Sequence, residues 1–115
     1  MKKLFHSFKF AFQGFWLACK EQSNLRIHLF ISAVVVGLAF YFGVSKLDWC
    51  ILLLCIGLVI SLELMNSSIE GIVDLVSPER QVKAGKIKDI AAAAVLVSAA
   101  VSFFVGLLIF SKYFF

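Results

Sequence analysis

The stretch ILLLCIGLVISLELMNSSIEGIVD, residues 51–74, joins an apolar run to a segment that carries Glu63, Asn66, Ser67, Ser68, Glu70 and Asp74. The uncharged part around it, Trp49 to Leu62, is 14 residues long. A hydrocarbon core of ~30 Å takes about 20 helical residues at ~1.5 Å each. A helix here must therefore stop inside the bilayer or carry polar groups into it. Nothing interrupts it before Ser77-Pro78, and Pro78 is the only proline in the chain, a residue that lacks the helical N–H and clashes with the preceding turn. The pattern predicts one long helix from about Leu47 to Val76, polar along one side of its second half.

At about 100° per residue, Glu63, Asn66, Glu70 and Asp74 fall within roughly 80° of one another, with Ser67 at the edge of the same face. If Trp49 marks one membrane boundary, ~20 residues of helix reach the other near Ser68. Glu63 then sits roughly 7 Å inside the hydrocarbon, Asn66 just inside, Glu70 just outside and Asp74 in water. The carboxylate stripped of water suits proton abstraction, and those in water suit cation binding. An ionisable residue inside a span is costly, so it is a functional candidate by default.

The rest of the chain sets this helix in a membrane. Of 115 residues 62% are hydrophobic, well above the share usual in soluble domains. Ile27 to Ser45 and Ile90 to Ser111 contain no Asp, Glu, Lys or Arg, and each is long enough to cross. The spans are expected at about 27–44, 47–76 and 86–112, the first two joined by the short SKLD turn, in one domain covering 1–115. Residues 1–26 read as an amphipathic helix lying in the headgroup plane, with Leu4, Phe5, Phe8, Phe12, Phe15 and Trp16 at three- and four-residue spacing between Lys2, Lys9, Gln13 and Lys20. This segment lacks a continuous apolar core or small-residue cleavage pattern, so no cleavable leader is expected.

The formal charge of +4 reflects topology rather than nucleic-acid binding, because the basic residues flank spans. Lys2, Lys3, Lys9, Lys20, Arg26, Arg80, Lys83, Lys86 and Lys88 fall on one side, and Lys46 and Lys112 on the other. By the positive-inside rule the N-terminus and the 77–89 loop face the cytoplasm and the C-terminus lies outside. Trp16, Tyr41, Trp49 and Tyr113 fall near the expected interfaces. Cys19, Cys50 and Cys55 have no metal-ligand spacing and read as small apolar residues. Ala91 to Ala94, Ser98, Ala99, Ala100 and Ser102 offer close helix packing.

Glu63 and Glu70 call for neighbours of opposite sign, and Lys88-Asp89, at the head of the third span, stands nearest in topology. His28, at the start of the first span, can ligate a metal or titrate, but a lone interfacial His more often reaches lipid headgroups.

ELMNSSIEGIVDLVSPE followed by KIKDIAAAAVL resembles the signature of the prokaryotic diacylglycerol kinase and undecaprenol kinase family, and NLRIHL resembles the stretch that opens its first span. The likeness extends over nearly the whole chain, with the E-x-x-N-x-x-x-E-x-x-x-D pattern intact. It implies an all-α, homotrimeric enzyme of the bacterial inner (cytoplasmic) membrane. Such an enzyme moves the γ-phosphoryl group of ATP, with magnesium, onto a membrane lipid alcohol, either diacylglycerol or undecaprenol. The chain has no P-loop, Gly-rich kinase loop or HRD sequence, so transfer must rest on positioning, metal and a few charges.

By the same resemblance Glu63 is the general base for the lipid hydroxyl, and Asn66 its hydrogen-bonding neighbour. Glu70 is a metal ligand at the nucleotide site, Asp74 lies on the nucleotide side, and Lys88 with Asp89 engages the nucleotide phosphates. Lys3, Phe10 and Glu79-Arg80-Gln81 align with further nucleotide-site positions. The position that often supplies a second metal-binding glutamate is Gln22 here. Glu21 is adjacent but about 100° away round a helix, so either Gln22 lends its carbonyl oxygen or Glu21 takes the place.

Two other readings compete. A proton- or cation-conducting bundle would use the same polar stripe, but Trp49 to Leu62 offers only Ser61 and cysteines to continue a path. A catalytically weak homologue acting as an assembly subunit is the other, and Gln22 is its motive. The RIHL stretch leans toward undecaprenol as acceptor.

Overall fold

A computed structural model describes residues 1–114. Among these, four helices follow in order: α1 (Lys2–Glu21), α2 (Ser23–Phe42), α3 (Lys46–Val76) and α4 (Val82–Phe114). The last three are each long and apolar enough to cross a membrane. Helices satisfy every backbone group within the segment, which is what a span without water requires. The 31 residues of α3 extend about 46 Å, more than the ~30 Å of a hydrocarbon core, so its polar end outruns the apolar layer.

The first helix is shorter than the expected 1–26 segment, because Gln22 is extended (φ −108°, ψ 109°) and separates α1 from α2. Arg26 fastens this corner: its Nη1 donates to the backbone oxygens of Cys19 at 2.9 Å and Lys20 at 2.8 Å. Those carbonyls lie in the last turn of α1, where they lack helical partners and the dipole favours a cation. Consequently α2 starts at Ser23 rather than Ile27. Likewise α4 starts at Val82, leaving a loop over 77–81.

The turn between α2 and α3 is tight. Gly43 ends α2 in the left-handed region (φ 60°, ψ 49°), which glycine enters without a Cβ penalty. Ser45 then opens α3, its Oγ accepting from the backbone N–H of Asp48 at 3.1 Å, as N-caps do. At the other end Ser77 terminates α3 just before Pro78.

The central element is α3, which packs against each of the other three helices and most extensively against α4. Ala39, Val44, Leu52 and Ile109 form a small core near the Gly43 turn, flanked by Phe42, Phe110 and Tyr113. Many large side chains, including Phe30, Leu54, Ile90, Leu96 and Leu108, remain exposed, a surface suited to hydrocarbon rather than water.

One polar cluster braces this core. Asp48, only 3% exposed, accepts Lys112 Nζ at 3.0 Å on each oxygen and the Tyr113 hydroxyl at 2.8 Å. The Tyr113 oxygen in turn accepts from the Ser45 backbone N–H at 3.0 Å. This cluster ties the start of α3 to the end of α4 by charge-assisted bonds. Asp48→Leu is therefore expected to lower the thermal unfolding midpoint in detergent more than Lys112→Met does, since the first removes three bonds and the second leaves Tyr113 engaged. Equal midpoints for wild type and Asp48→Leu would show the cluster to be passive.

Candidate functional site

The polar face of α3 takes its character from how deeply each residue is set among its neighbours. Glu63 is 4% and Asn66 8% exposed, Glu70 is half-buried and Asp74 exposed. Helical spacing places them on one side, and α3's packing on its neighbours covers the first pair while the second emerges. Buried polar groups need partners, and these can be followed in order.

Glu63 Oε1 lies 3.4 Å from His28 Nε2, on α2. Ser67 directs its hydroxyl to the Glu63 backbone oxygen at 3.0 Å, leaving the carboxylate to other partners. Asn66 Nδ2 donates to Glu70 Oε1 at 3.3 Å, one turn on. That bond orients the amide, and Asn66 Oδ1 is left buried with no hydrogen-bond partner among the described residues. At the open end Lys88 Nζ, from α4, pairs with Asp74 Oδ1. Lys88 thus serves Asp74 rather than Glu63 or Glu70, the partners the sequence suggested, because about four turns of α3 separate Glu63 from the Pro78 loop that brings Lys88 in.

Two cavities lie beside α3, and Glu63, Asn66, Glu70 and Asp74 line neither. One of about 630 Å³ lies among α2, α3 and α4, and extends from His28 past Ser32, Cys55, Ala99 and Gly106 to Phe114. The other, about 750 Å³, lies between α1 and α3 and is lined by Phe8, Phe12, Phe15, Glu21, Gln22 and Ser67 among others. Glu21 and Gln22 therefore line the same space. The expected 100° separation assumed a continuous helix, and the extended backbone at Gln22 removes that premise.

Lys3 and Phe10 are exposed on α1, Glu79, Arg80 and Gln81 are exposed in the loop, and Asp89 is exposed on α4. Among the described residues, no ion pair draws the charged ones to the α3 face. The structure brings together His28, Glu63, Asn66 and Glu70, and separately Asp74 with Lys88. No group of three or more His, Cys, Asp or Glu among the described residues is placed to hold a metal ion by itself.

The His28 contact is the feature that sequence reasoning missed, having assigned that side chain to headgroups. A signal existed in the hairpin register. Counting outward from the Gly43–Ser45 turn, His28 and Glu63 stand within about one helical turn of the same level on antiparallel neighbours.

Comparison with known proteins bears on this arrangement. The family model for prokaryotic diacylglycerol kinase matches residues 9–110, which takes in all of α2 and α3. The undecaprenol kinase of Bacillus subtilis is 37% identical over 110 residues, covering 96% of this chain and 89% of that protein. The diacylglycerol kinase of Haemophilus influenzae is 32% identical over 95 residues, 83% of this chain and 80% of its own. That of Helicobacter pylori is 35% identical over 96 residues, 84% and 75% respectively. Matches of this extent, on a chain with three helices fit to span a membrane, have one meaning: the chain belongs to the prokaryotic diacylglycerol kinase family, as a multi-pass membrane protein.

Proposed function

We propose that the protein is a lipid kinase that transfers the γ-phosphoryl group of ATP to the hydroxyl of a membrane lipid alcohol, with Glu63 as general base. One observation carries this reading. A single face of α3 runs from a buried carboxylate, Glu63, whose neighbour His28 lines an apolar cavity, to an exposed one, Asp74, beside a lysine. Lipid hydroxyl and water-soluble nucleotide can meet only along such a gradient.

In this reading the lipid tail occupies apolar surface and its hydroxyl approaches Glu63, which takes the proton as the oxygen attacks phosphorus. Asn66 Oδ1, a buried acceptor without a partner, is available to a hydroxyl or ammonium donor that arrives with substrate. Lys88 gives up part of its pairing with Asp74 to the phosphates, and Asp89, Lys3, Phe10 and the 79–81 loop border the nucleotide.

Magnesium fits the donor set. Glu70 is a half-buried carboxylate steadied by Asn66, and Gln22 or Glu21, which line the cavity between α1 and α3, would supply the second oxygen donor. Magnesium is commonly held by one or two carboxylates together with substrate phosphates, so a site short of three protein ligands suits it. When bound, the ion offsets phosphate charge during transfer.

The charge split supports a cytoplasmic N-terminus, an outer C-terminus and the bacterial inner membrane. The exposed Leu4, Phe5, Phe8, Phe12 and Trp16 support α1 as an amphipathic helix lying at the membrane surface. The small residues of α4 support self-association as a homotrimer. Of the two acceptors, the RIHL stretch favours undecaprenol over diacylglycerol.

Purified protein in mixed micelles is expected to consume ATP only when lipid alcohol is added. Lys88→Met should raise the KM for MgATP by about tenfold, the effect of losing ~1.4 kcal/mol of phosphate binding. It should change stability by no more than ~1 kcal/mol, as expected for an exposed ion pair. An unaltered KM for MgATP would remove Lys88 from the nucleotide site.

A further inference from the structure

We infer that His28 is the positioning residue of the reaction: its Nε2 holds Oε1 of Glu63, so that Oε2 is the oxygen turned to the lipid hydroxyl. The inference rests on the lipid-kinase reading of the same site and adds a residue from a different helix.

Three observations carry it. Nε2 and Oε1 are 3.4 Å apart, across the α2–α3 interface. The Glu63 side chain is 4% exposed and that of His28 21%, so the carboxylate is the more deeply set of the two. His28 lines the cavity among α2, α3 and α4, and Glu63 lies behind the imidazole, outside that lining. The carboxylate is therefore one side chain away from a cavity in which a lipid tail can lie.

Chemistry fixes what the imidazole does there. A carboxylate accepts only, so the proton between the pair rests on Nε2, whether the ring is neutral or charged. Oε1 then faces Nε2 at ion-pair distance, 3.4 Å, and Oε2 makes no ion pair or hydrogen bond among the described residues. During transfer the lipid O–H bond breaks and its proton moves to Oε2. The lipid oxygen forms a bond to the γ-phosphorus, and the bond from that phosphorus to the ADP oxygen breaks, leaving its electron pair on ADP. His28 gains and loses nothing in this step. Its part is to hold the carboxylate within reach, because a misplacement of about 1 Å at a reacting group lowers rate roughly 10²-fold.

Three variants and one spectrum test this. His28→Leu keeps bulk without a donor, and should lower kcat with lipid alcohol by about 10²-fold while the KM for MgATP stays within twofold. His28→Gln places an amide N–H at a similar reach and should recover most of kcat, whereas His28→Asn, shorter by one carbon, should not. In detergent micelles, Glu63→Gln should shift the imidazole ¹⁵N resonances of His28, identified by their loss in His28→Gln, and leave those of His6 in place. Wild-type kcat in His28→Leu, or a His28→Gln variant as slow as His28→Leu, overturns the positioning role. Absence of the ¹⁵N shift overturns the contact itself, independently of turnover. A shift in a wild-type protein that transfers no phosphate to lipid overturns the kinase reading and, with it, any role for the pair in catalysis.

Discussion

Glu63→Gln is expected to lower lipid phosphorylation by roughly 10²–10⁴-fold, the range that a positioned general base supplies. The substitution is nearly isosteric, so packing on α2 and the backbone bond from Ser67 survive. An amide, however, cannot accept the hydroxyl proton at neutral pH. The loss should fall on kcat, with the KM for MgATP within about twofold of wild type, because interactions made only in the transition state leave ground-state binding intact. Glu63→Asp keeps the charge but draws the carboxylate back from His28, and should fall between the two. Kinetics in mixed micelles with lipid alcohol and MgATP varied separately measure both constants. A Glu63→Gln variant at wild-type kcat would sink the assignment of the base.

Glu70→Ala should bring the second large loss, and by two routes that a companion variant separates. Removing the carboxylate takes away a hard oxygen donor for magnesium, so turnover should fall by about 10²-fold and the magnesium concentration for half-maximal rate should rise about tenfold. It also removes the acceptor of Asn66 Nδ2 at 3.3 Å. Since Asn66 Oδ1 already lacks a partner, the buried amide would be left with no bond at either end, a destabilisation of about 1–3 kcal/mol. Glu70→Gln keeps that acceptor. It should restore the unfolding midpoint while leaving the magnesium requirement high. If both variants show wild-type magnesium dependence, Glu70 is not a ligand and the donors lie elsewhere.

The architecture was largely open to reading because membrane spans declare themselves by long uncharged runs, and α3 by the absence of any helix breaker between Lys46 and Pro78. The boundaries were less open. Gln22 breaks the helix without a proline or glycine to announce it, and the bonds from Arg26 that hold the corner depend on where α2 sits, which periodicity within α1 does not reveal. At the site, the common face of Glu63, Asn66, Glu70 and Asp74 follows from 3.6-residue spacing alone. Partners do not, since they come from other helices: His28 to Glu63 across the Gly43 turn, Lys88 to Asp74 across the Pro78 loop. The Asp48, Lys112 and Tyr113 cluster was hidden for the same reason, its members lying at opposite ends of the sequence of α3 and α4.

The α2–α3 hairpin also shows why the two ends of α3 differ in character. Near Gly43 the polar groups are mutually satisfied: Asp48 has three side-chain donors or caps around it. Toward Pro78 they are not, with Asn66 Oδ1 unpartnered and Glu63 held by one side-chain contact. A satisfied cluster gives rigidity, and an unsatisfied one leaves capacity for a ligand. The difference supports chemistry at the Pro78 end and bracing at the other.

The most direct measurement follows radiolabel from [γ-³²P]ATP into lipid, with purified protein given undecaprenol or diacylglycerol side by side in magnesium-containing micelles. Label should enter the lipid fraction with wild-type protein, more with undecaprenol than with diacylglycerol, and fall to near background with Glu63→Gln. Wild-type protein that labels neither lipid, or a Glu63→Gln variant that labels either one as fast as wild type, would contradict the assignment of lipid phosphorylation to the α3 face.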